Sequence, residues 1–408
     1  MSFGQKDTKD LPTMTDPNLR VELFTAGLNF PTGMVFLDNE KIMIIEKNSG
    51  KIKLVINGSL VNEPIIDLNV ANMSERGLLG IASSEKNISD VNYKGKKQYN
   101  IFLFVTETDK KDGGNILGNR VYKYELIDDE LINPKLLLDL PFLPGPSHNG
   151  GVIQIGKDNN LYIVVGDLNR KNNPSGNTLA ENLNSTRNPD GRGGILFVDQ
   201  NGEPVGEGIL GNTSPINKYF GYGIRNSFGI GFDPITGNLW ETENGSHFGD
   251  EINLIVPGFN GGWRQVLGLS ELYDKFKEKK FDNQTLVTFN GNGKYKDPIF
   301  MWNDTIAPTA INFIESDKLG LEYQNDLVVG SVKQGRIFHF DLNENRTDLI
   351  LRTPLADRIA NHDTELQNVT FGRGFGIITD VETNPFDGYL YVLSADKNDG
   401  SIYRIMKN

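Results

Sequence analysis

Short apolar segments with period-two alternation recur along the whole chain, and each leads into a turn rich in Asn, Asp or Gly. Clear copies begin at Gly33 (GMVFLDNEKIMIIEKNSGKIKLV), Gly151 (GVIQIGKDNNLYIVVGDL), Gly229 (GIGFDPITGNLWETENGS) and Ile378 (ITDVETNPFDGYLYVLSADKNDGSIYRI). Alternating β-branched and aromatic residues with such turns are typical of antiparallel strands joined by hairpins. Helical periodicity is nearly absent, so the pattern predicts an all-β chain.

Weaker copies of the same strand-and-turn pattern bring the number of repeats to about six. Each copy supplies three or four short strands, which bury both faces only when the sheets pack face to face around an axis. We therefore predict a six-bladed β-propeller of four-stranded antiparallel blades, forming one domain over residues 21–408. Residues 1–20 are expected to be a flexible segment, and the strand near Val21 is expected to close the ring with the C-terminal strand. A large β-sandwich or two stacked β-domains is the alternative.

Composition narrows the possible partners of this domain. The chain has 41 Lys and Arg against 53 Asp and Glu, a net charge of −12, and no basic cluster. Nucleic acid and anionic membranes are therefore disfavoured, because both are bound through concentrated positive charge. No apolar run approaches the roughly 20 residues that span a bilayer. The polar start MSFGQKDTKDLPTMTDPN contains no signal peptide.

The 408 residues include no cysteine, which excludes disulfides, thiolate nucleophiles and cysteine-ligated metals. Catalysis must then use His, Arg, Lys, carboxylates, a hard metal ion or a cofactor. Of the four histidines, His148 in LPGPSHNGG directly precedes a strand and suits a general base, because imidazole exchanges protons near neutral pH. A loop histidine bonded to backbone is the alternative for His148, and we assign structural roles to His247, His339 and His362.

Two loops add further candidates. Arg225 and Asn226 in GYGIRNSFG precede another strand, and an arginine there suits a carboxylate or a quinone oxygen, or ties two loops together. The segment ETENGSHFGDEINLI places carboxylates beside loop carbonyls, which is the donor set that calcium prefers. The spacing is not that of an EF-hand, so a solvated acidic loop is the alternative.

Taken in chain order, several motifs make this sequence resemble the soluble PQQ-dependent sugar dehydrogenases, the glucose/sorbosone dehydrogenase family. The motifs are GLLGIA, the His148 loop with IGKDNNLYIVVGD, RNSFGIGFDP, DEINLI with PGFNGGW, TIAP and VKQGRIF. The resemblance runs from about Gly33 to Arg404. It implies a six-bladed propeller that oxidises an aldose at its anomeric carbon to a lactone, with hydride passing to pyrroloquinoline quinone (PQQ).

The resemblance also implies residue roles. His148 matches the family's general base, and Arg225 matches the arginine at the quinone oxygens, next to Asn226. Lys333 and Thr305 match positions that hold the cofactor's carboxylates and edge.

A calcium site is implied by the same resemblance. Gly245 and Ser246 match the two residues whose backbone carbonyls bind the calcium that polarises the quinone. Asp250 and Glu251 fall in an acidic segment that carries further calcium in some members.

The chain departs from the family at several positions. Ile377 and Thr379 stand where glucose dehydrogenases of this family have two arginines that pair with cofactor carboxylates. Glu75 and Arg76 stand where those enzymes have a glutamine that touches the cofactor. We expect Arg76 or Arg373 to compensate; otherwise the cofactor site is degenerate.

Three functions follow from these observations. The first is an aldose dehydrogenase that uses PQQ, calcium and an external electron acceptor, exported to an extracellular or periplasm-like location, as monomer or homodimer. The second is a non-catalytic propeller that binds a glycan or a protein. The third is a calcium-dependent lactonase-type hydrolase, which would need carboxylate and Asn ligands from several blades.

Overall fold

The computed structural model describes residues 11–86, 98–111, 113–168, 178–183, 187–272, 281–395 and 399–408. Its strands are numbered in chain order. The first eleven are β1 (Thr13–Met14), β2 (Leu19–Leu28), β3 (Pro31–Phe36), β4 (Lys41–Glu46), β5 (Lys51–Ile56), β6 (Ser59–Leu60), β7 (Ile66–Asp67), β8 (Leu78–Glu85), β9 (Tyr99–Thr108), β10 (Ile116–Ile127) and β11 (Glu130–Leu140).

The next ten strands are β12 (Ile153–Ile155), β13 (Leu161–Val165), β14 (Gly194–Val198), β15 (Tyr219–Tyr222), β16 (Ser227–Phe232), β17 (Leu239–Glu243), β18 (Asp250–Ile255), β19 (Phe259–Asn260), β20 (Lys294–Tyr295) and β21 (Phe300–Trp302). The last eight are β22 (Pro308–Phe313), β23 (Leu327–Ser331), β24 (Arg336–Phe340), β25 (Ile359–Ala360), β26 (Thr370–Arg373), β27 (Ile378–Thr383), β28 (Leu390–Ser394) and β29 (Gly400–Lys407). Short 3-10 helices cover Leu179–Glu181, Ile216–Lys218, Asn283–Thr285, Leu321–Tyr323, Leu355–Asp357 and Asp363–Val369.

The described strands form six sheets. From the inner strand outward, their orders are β3-β4-β5 with β6 and β7 on β5, β8-β9-β10-β11, β12-β13-β14-β15-β19-β20, β16-β17-β18-β21-β25, β22-β23-β24-β26-β1 and β27-β28-β29-β2. The inner strands contact one another in the order β3, β8, β12, β16, β22, β27 and back to β3. The all-β propeller prediction is therefore confirmed.

Apolar side chains fill the space between each pair of neighbouring sheets. On β4, Ile45 packs into the cluster shared with the second sheet, while Ile44 packs into the cluster shared with the sixth. Because successive side chains of a strand point to opposite faces, a strand between two sheets is apolar at consecutive positions. This explains runs such as KIMIIE in β4 and LYIVV in β13. The core is thus divided into clusters between sheets and has no single centre.

The prediction of four strands in every sheet needs correction. Among the described strands, four-stranded sheets occur twice, whereas the other four sheets gain short strands from the long connections. Before the predicted boundary at residue 21, Thr13 and Met14 pair with Arg373 and Gly372, and β2 begins at Leu19. Residues 1–10 lie outside the described part. The expected pairing of the first long strand with the last is found, since β2 runs antiparallel to β29.

Within the described ranges, no helix is long and apolar enough to cross a membrane.

Glycines allow the inner strands to approach closely. A Cβ at Gly229 would lie 1.9 Å from the carbonyl oxygen of Thr309 on the neighbouring inner strand, and one at Gly80 would lie 2.0 Å from that of Gly151. Only a residue without a side chain fits such backbone contacts.

We expect Gly229→Ala to lower the melting temperature, because the methyl group must push β16 away from β22, at a cost of about 1–3 kcal/mol. Thermal unfolding of the purified variant measures this. Gly291→Ala is the comparison, since no atom lies within 4 Å of its Cβ position and only the left-handed backbone, φ 88°, opposes the change. Equal melting temperatures for wild type and Gly229→Ala would contradict the close approach.

Candidate active site

A cavity of about 720 Å³ runs along the axis, lined by residues from all six inner strands. At the end where these strands begin, loop residues line it as well: Lys47, Ser74, Glu75, Gly150, Asn244, Ala307, Val332 and Ile377. The residues singled out from the sequence lie on or beside these loops.

His148 lies two residues before the cavity-lining Gly150, is not itself among the lining residues, and is 4% exposed. Its Nδ1 is 2.6 Å from Oδ1 of Asp167, which is fully buried. A carboxylate can only accept hydrogen bonds, so Nδ1 carries the hydrogen in this pair, and in the neutral imidazole Nε2 then has the lone pair. No hydrogen bond to Nε2 is found within the described ranges. The pair therefore leaves Nε2 able to take a proton.

The strand end that carries Asp167 ties two loops together. The amide of Asp167 donates to the carbonyl of Arg225 at 2.9 Å, and the amide of Leu168 donates to that of His148 at 3.2 Å. A Cβ at Gly166 would lie 2.3 Å from the His148 carbonyl oxygen. The sequence VVGDL thus needs its glycine, because β13 passes directly beneath the His148 loop.

Asp167 also binds groups that come from a distant part of the chain. Its Oδ2 accepts from Nε1 of Trp263 at 2.8 Å and from Nη2 of Arg264 at 3.3 Å. The Trp263 ring lies under the guanidinium of Arg225, 5.5 Å from its centre. These contacts compensate the burial of the carboxylate and fix its orientation.

Glu75 connects His148 with the Arg225 loop. Its Oε2 accepts from the His148 amide at 2.6 Å and from Nδ2 of Asn226 at 3.1 Å. Arg225 donates from Nη1 to the carbonyl of Asn244 at 2.5 Å. Burial lowers the pKa of Arg225, and nearby carboxylates including Glu75 partly oppose this. His148, Arg225 and Asn226 are therefore brought together, around an acid whose role was not assigned from the sequence.

The Gly245 loop is fixed by Asp250. Oδ1 of Asp250 accepts from the Gly245 amide at 2.8 Å, and Oδ2 accepts from the amides of Ile306 and Ala307 at 2.7 and 2.8 Å. Burial raises the pKa of Asp250 to about 6. In the part of the chain described, the carbonyls of Gly245 and Ser246 accept no hydrogen bond.

Glu251 has a comparable anchoring role. It accepts from the Gly268 amide at 2.6 Å and from Nδ2 of Asn253 at 2.9 Å. The geometry thus uses Asp250 and Glu251 to hold loops, and it does not arrange them as an open set of calcium ligands.

Lys333 and Thr305 contact each other on the neighbouring sheet. Nζ of Lys333 donates to the hydroxyl of Thr305 and to its carbonyl, the latter at 3.2 Å. Lys333 is exposed and follows the cavity-lining Val332. Since Asp250 holds the backbone of residues 306 and 307, this pair lies at the same end of the cavity as the Gly245 loop.

Arg76 and Arg373 make contacts of their own. Nη2 of Arg76 lies 2.5 Å from the carbonyl oxygen of Phe142. Arg373 is exposed on β26, in register with Thr13. Neither arginine lines the cavity, which holds for His148 and Arg225 as well, whereas Ile377 and Thr379 do line it. That Arg76 or Arg373 compensates for these two residues stays a prediction.

Several residues of the site were missed from the sequence. Asp167 could have been found as the acidic residue that follows the strand in VVGDL. Trp263 could have been found as the aromatic residue that ends PGFNGGW. Lys47 carries no local motif and is recognised only because the fold places it on the cavity wall. Among the remaining histidines, Nε2 of His339 lies 3.0 Å from Asp326, and His247 and His362 are exposed.

The chain matches a known protein family over most of its length. The model of the glucose/sorbosone dehydrogenase family matches residues 28–404. The chain belongs to this family, and the resemblance seen in the sequence is confirmed.

Individual relatives are distant but nearly full-length. The aldose sugar dehydrogenase YliI of Escherichia coli is 25% identical over 394 residues, covering 95% of this chain and 92% of the relative. The quinoprotein glucose dehydrogenase B of Acinetobacter calcoaceticus is 25% identical over 460 residues, covering 96% and 89%. The PQQ-bound aldose sugar dehydrogenase structure from Streptomyces coelicolor has a TM-score of 0.64 at 20% identity, covering 98% and 100%, which shows a shared fold.

Three buried glutamates under the Arg225 loop make stability depend on pH. Glu241, Glu243 and Glu251 are at most 4% exposed. Burial raises the pKa of Glu241 to about 8 and that of Glu251 to about 7, and raises the pKa of Glu243 well above its usual range. A carboxyl whose pKa is higher in the folded state costs stability as pH rises from its unfolded to its folded pKa.

We therefore expect the melting temperature to fall between about pH 5 and pH 8. Glu241→Gln should raise the melting temperature at pH 8 more than at pH 5, because a neutral amide replaces the group that is forced to ionise. Calorimetry at both pH values measures this, with the exposed Glu203→Gln as control. A Glu241→Gln effect that is equal at the two pH values would contradict the assignment.

Proposed function

We propose that this protein oxidises an aldose sugar to its lactone, using PQQ and calcium. The observation that carries the proposal is the buried Asp167–His148 pair at one end of the axial cavity, which leaves His148 Nε2 free to accept a proton. Family membership supports the reaction class, and the printed names of the relatives support a sugar substrate and a quinone cofactor.

The residues present fit such a cofactor. The cavity of about 720 Å³ exceeds what a small tricyclic ligand needs. Oδ1 of Asn226 is buried and has no hydrogen-bond partner among the described residues, as expected of an atom that awaits a ligand. Arg225, Asn226, Lys333 and Thr305 would hold the cofactor, and the carbonyls of Gly245 and Ser246 would hold calcium.

Bound PQQ would supply the acceptor for the hydride that leaves the sugar. The protein supplies the remaining requirements. His148 Nε2 takes the proton of the sugar hydroxyl, and Asp167 stabilises the imidazolium that forms. Arg225 provides a fixed positive charge where negative charge develops during the reaction.

Further features complete the proposal. Each of the six sheets counts as one blade, and the β2–β29 pairing closes the ring. The enzyme passes electrons to an external acceptor, is exported, and works as monomer or homodimer.

The proposal predicts saturable binding of PQQ to the purified protein in millimolar calcium, followed by aldose-dependent reduction of an electron-accepting dye. Absorbance titration and a panel of aldoses measure the two steps. A chelator such as EDTA, added before the cofactor, should abolish both. Failure to bind at tens of micromolar PQQ would reject the dehydrogenase and favour a glycan-binding or hydrolytic propeller.

His148→Ala should lower kcat by roughly 10²–10⁴ while leaving PQQ affinity nearly unchanged, because the base acts only in proton transfer. Steady-state rates of the reconstituted enzyme measure this, with the exposed His362→Ala as matched control. An unchanged kcat for His148→Ala in a holo preparation would remove His148 from the mechanism.

A further inference from the structure

The charges on the cavity wall are uneven. Among the described residues that line it, Lys47 is the one Lys or Arg, whereas Glu75, Glu315, Asp380 and Glu382 are acidic. An anionic ligand inside the cavity would therefore meet its nearest positive charge on the wall at Lys47.

Lys47 is buried, and no carboxylate of the described residues forms an ion pair with it. The residue is 8% exposed, and Nζ donates to Oδ1 of Asn48 at 2.9 Å and lies 5.5 Å from the centre of the Phe30 ring. In the described ranges, no carboxylate oxygen lies within 4.0 Å of Nζ. Burial lowers the pKa of Lys47 to about 8. A buried ammonium group without a close anion is unfavourable, and an anionic ligand would relieve that cost.

The backbone places Lys47 at the end of the cavity that holds the candidate active site. Its amide donates to the carbonyl of Phe30 at 3.0 Å, and its own carbonyl accepts from Leu78 at 3.0 Å. A Cβ at Gly77 would lie 2.6 Å from Cγ of Lys47, so the glycine makes room for the lysine stem. Glu75 acts electrostatically on Lys47 and accepts from the His148 amide.

We propose that Lys47 binds a carboxylate group of the ligand in the axial cavity, which under the proposed function is a carboxylate of PQQ. The inference rests on that function for the identity of the ligand. The carboxylate provides the close anion that Lys47 lacks, and the low-dielectric surroundings strengthen the pair.

The test is equilibrium titration of wild type, Lys47→Met and Lys51→Met with PQQ in saturating calcium. Lys51 is the matched control, because it lies on the adjacent strand of the same sheet and does not line the cavity. We expect Kd for Lys47→Met to rise about 10-fold to 100-fold, as for loss of one hydrogen bond between charged groups. Lys47→Arg should retain most of the affinity, and Lys51→Met should match wild type.

A second measurement needs no variant. Wild-type affinity for PQQ should fall between about pH 7 and pH 9.5 as the ammonium of Lys47 loses its proton. This pH titration of the wild type keeps the proposal testable if Lys47→Met does not fold.

The outcomes separate the two proposals. Absence of PQQ binding by wild type overturns the proposed function together with this one. Wild-type binding that is matched by Lys47→Met, or that is independent of pH over this range, overturns the role of Lys47 alone.

Discussion

The candidate site depends on the buried carboxylate of Asp167. It accepts from His148, Trp263 and Arg264, while its backbone amide binds the carbonyl of Arg225. A fully buried carboxylate is tolerated only when its oxygens are saturated by donors of this kind. The same saturation fixes the tautomer of His148 and holds two loops in register. One charge thus accounts for both the order of the site and its capacity to accept a proton.

Glu75 and Asp250 extend this principle around the cavity. Each accepts hydrogen bonds from groups on separate loops, so that carboxylates act as anchors for backbone that has no partner in a sheet. Burial raises the pKa of Asp250 to about 6, so this anchor is sensitive to pH. The sheets fix the points at which the loops begin and end, and the acids hold those loops in place around the cavity.

The sequence predicted the fold well because the strand pattern is local and repeated. Period-two alternation and Asn, Asp and Gly turns locate strands such as β4 and β17 without tertiary information. The short strand before residue 21 could not be seen in the sequence, because Thr13 and Met14 join a sheet whose other strands lie some 300 or more residues later in the chain, which no local pattern indicates.

The site was predicted in part. Motif order identified His148, Arg225, Asn226 and the Gly245 loop, since these lie at strand ends that the repeat makes visible. The sequence records the charge of Arg76 and not the direction of its side chain, which points to Phe142. Lys47 was missed for the same reason: its role depends on burial, and burial is a property of the assembled sheets.

The most direct test of the central claim is a single-turnover experiment. The protein is reconstituted with PQQ and calcium, mixed without oxygen with one equivalent of an aldose, and the absorbance of the bound cofactor is followed over time. The account predicts one phase of reduction, slower when the sugar carries deuterium at its anomeric carbon, because that C–H bond is the one that breaks. Bound cofactor that no aldose reduces would contradict the account.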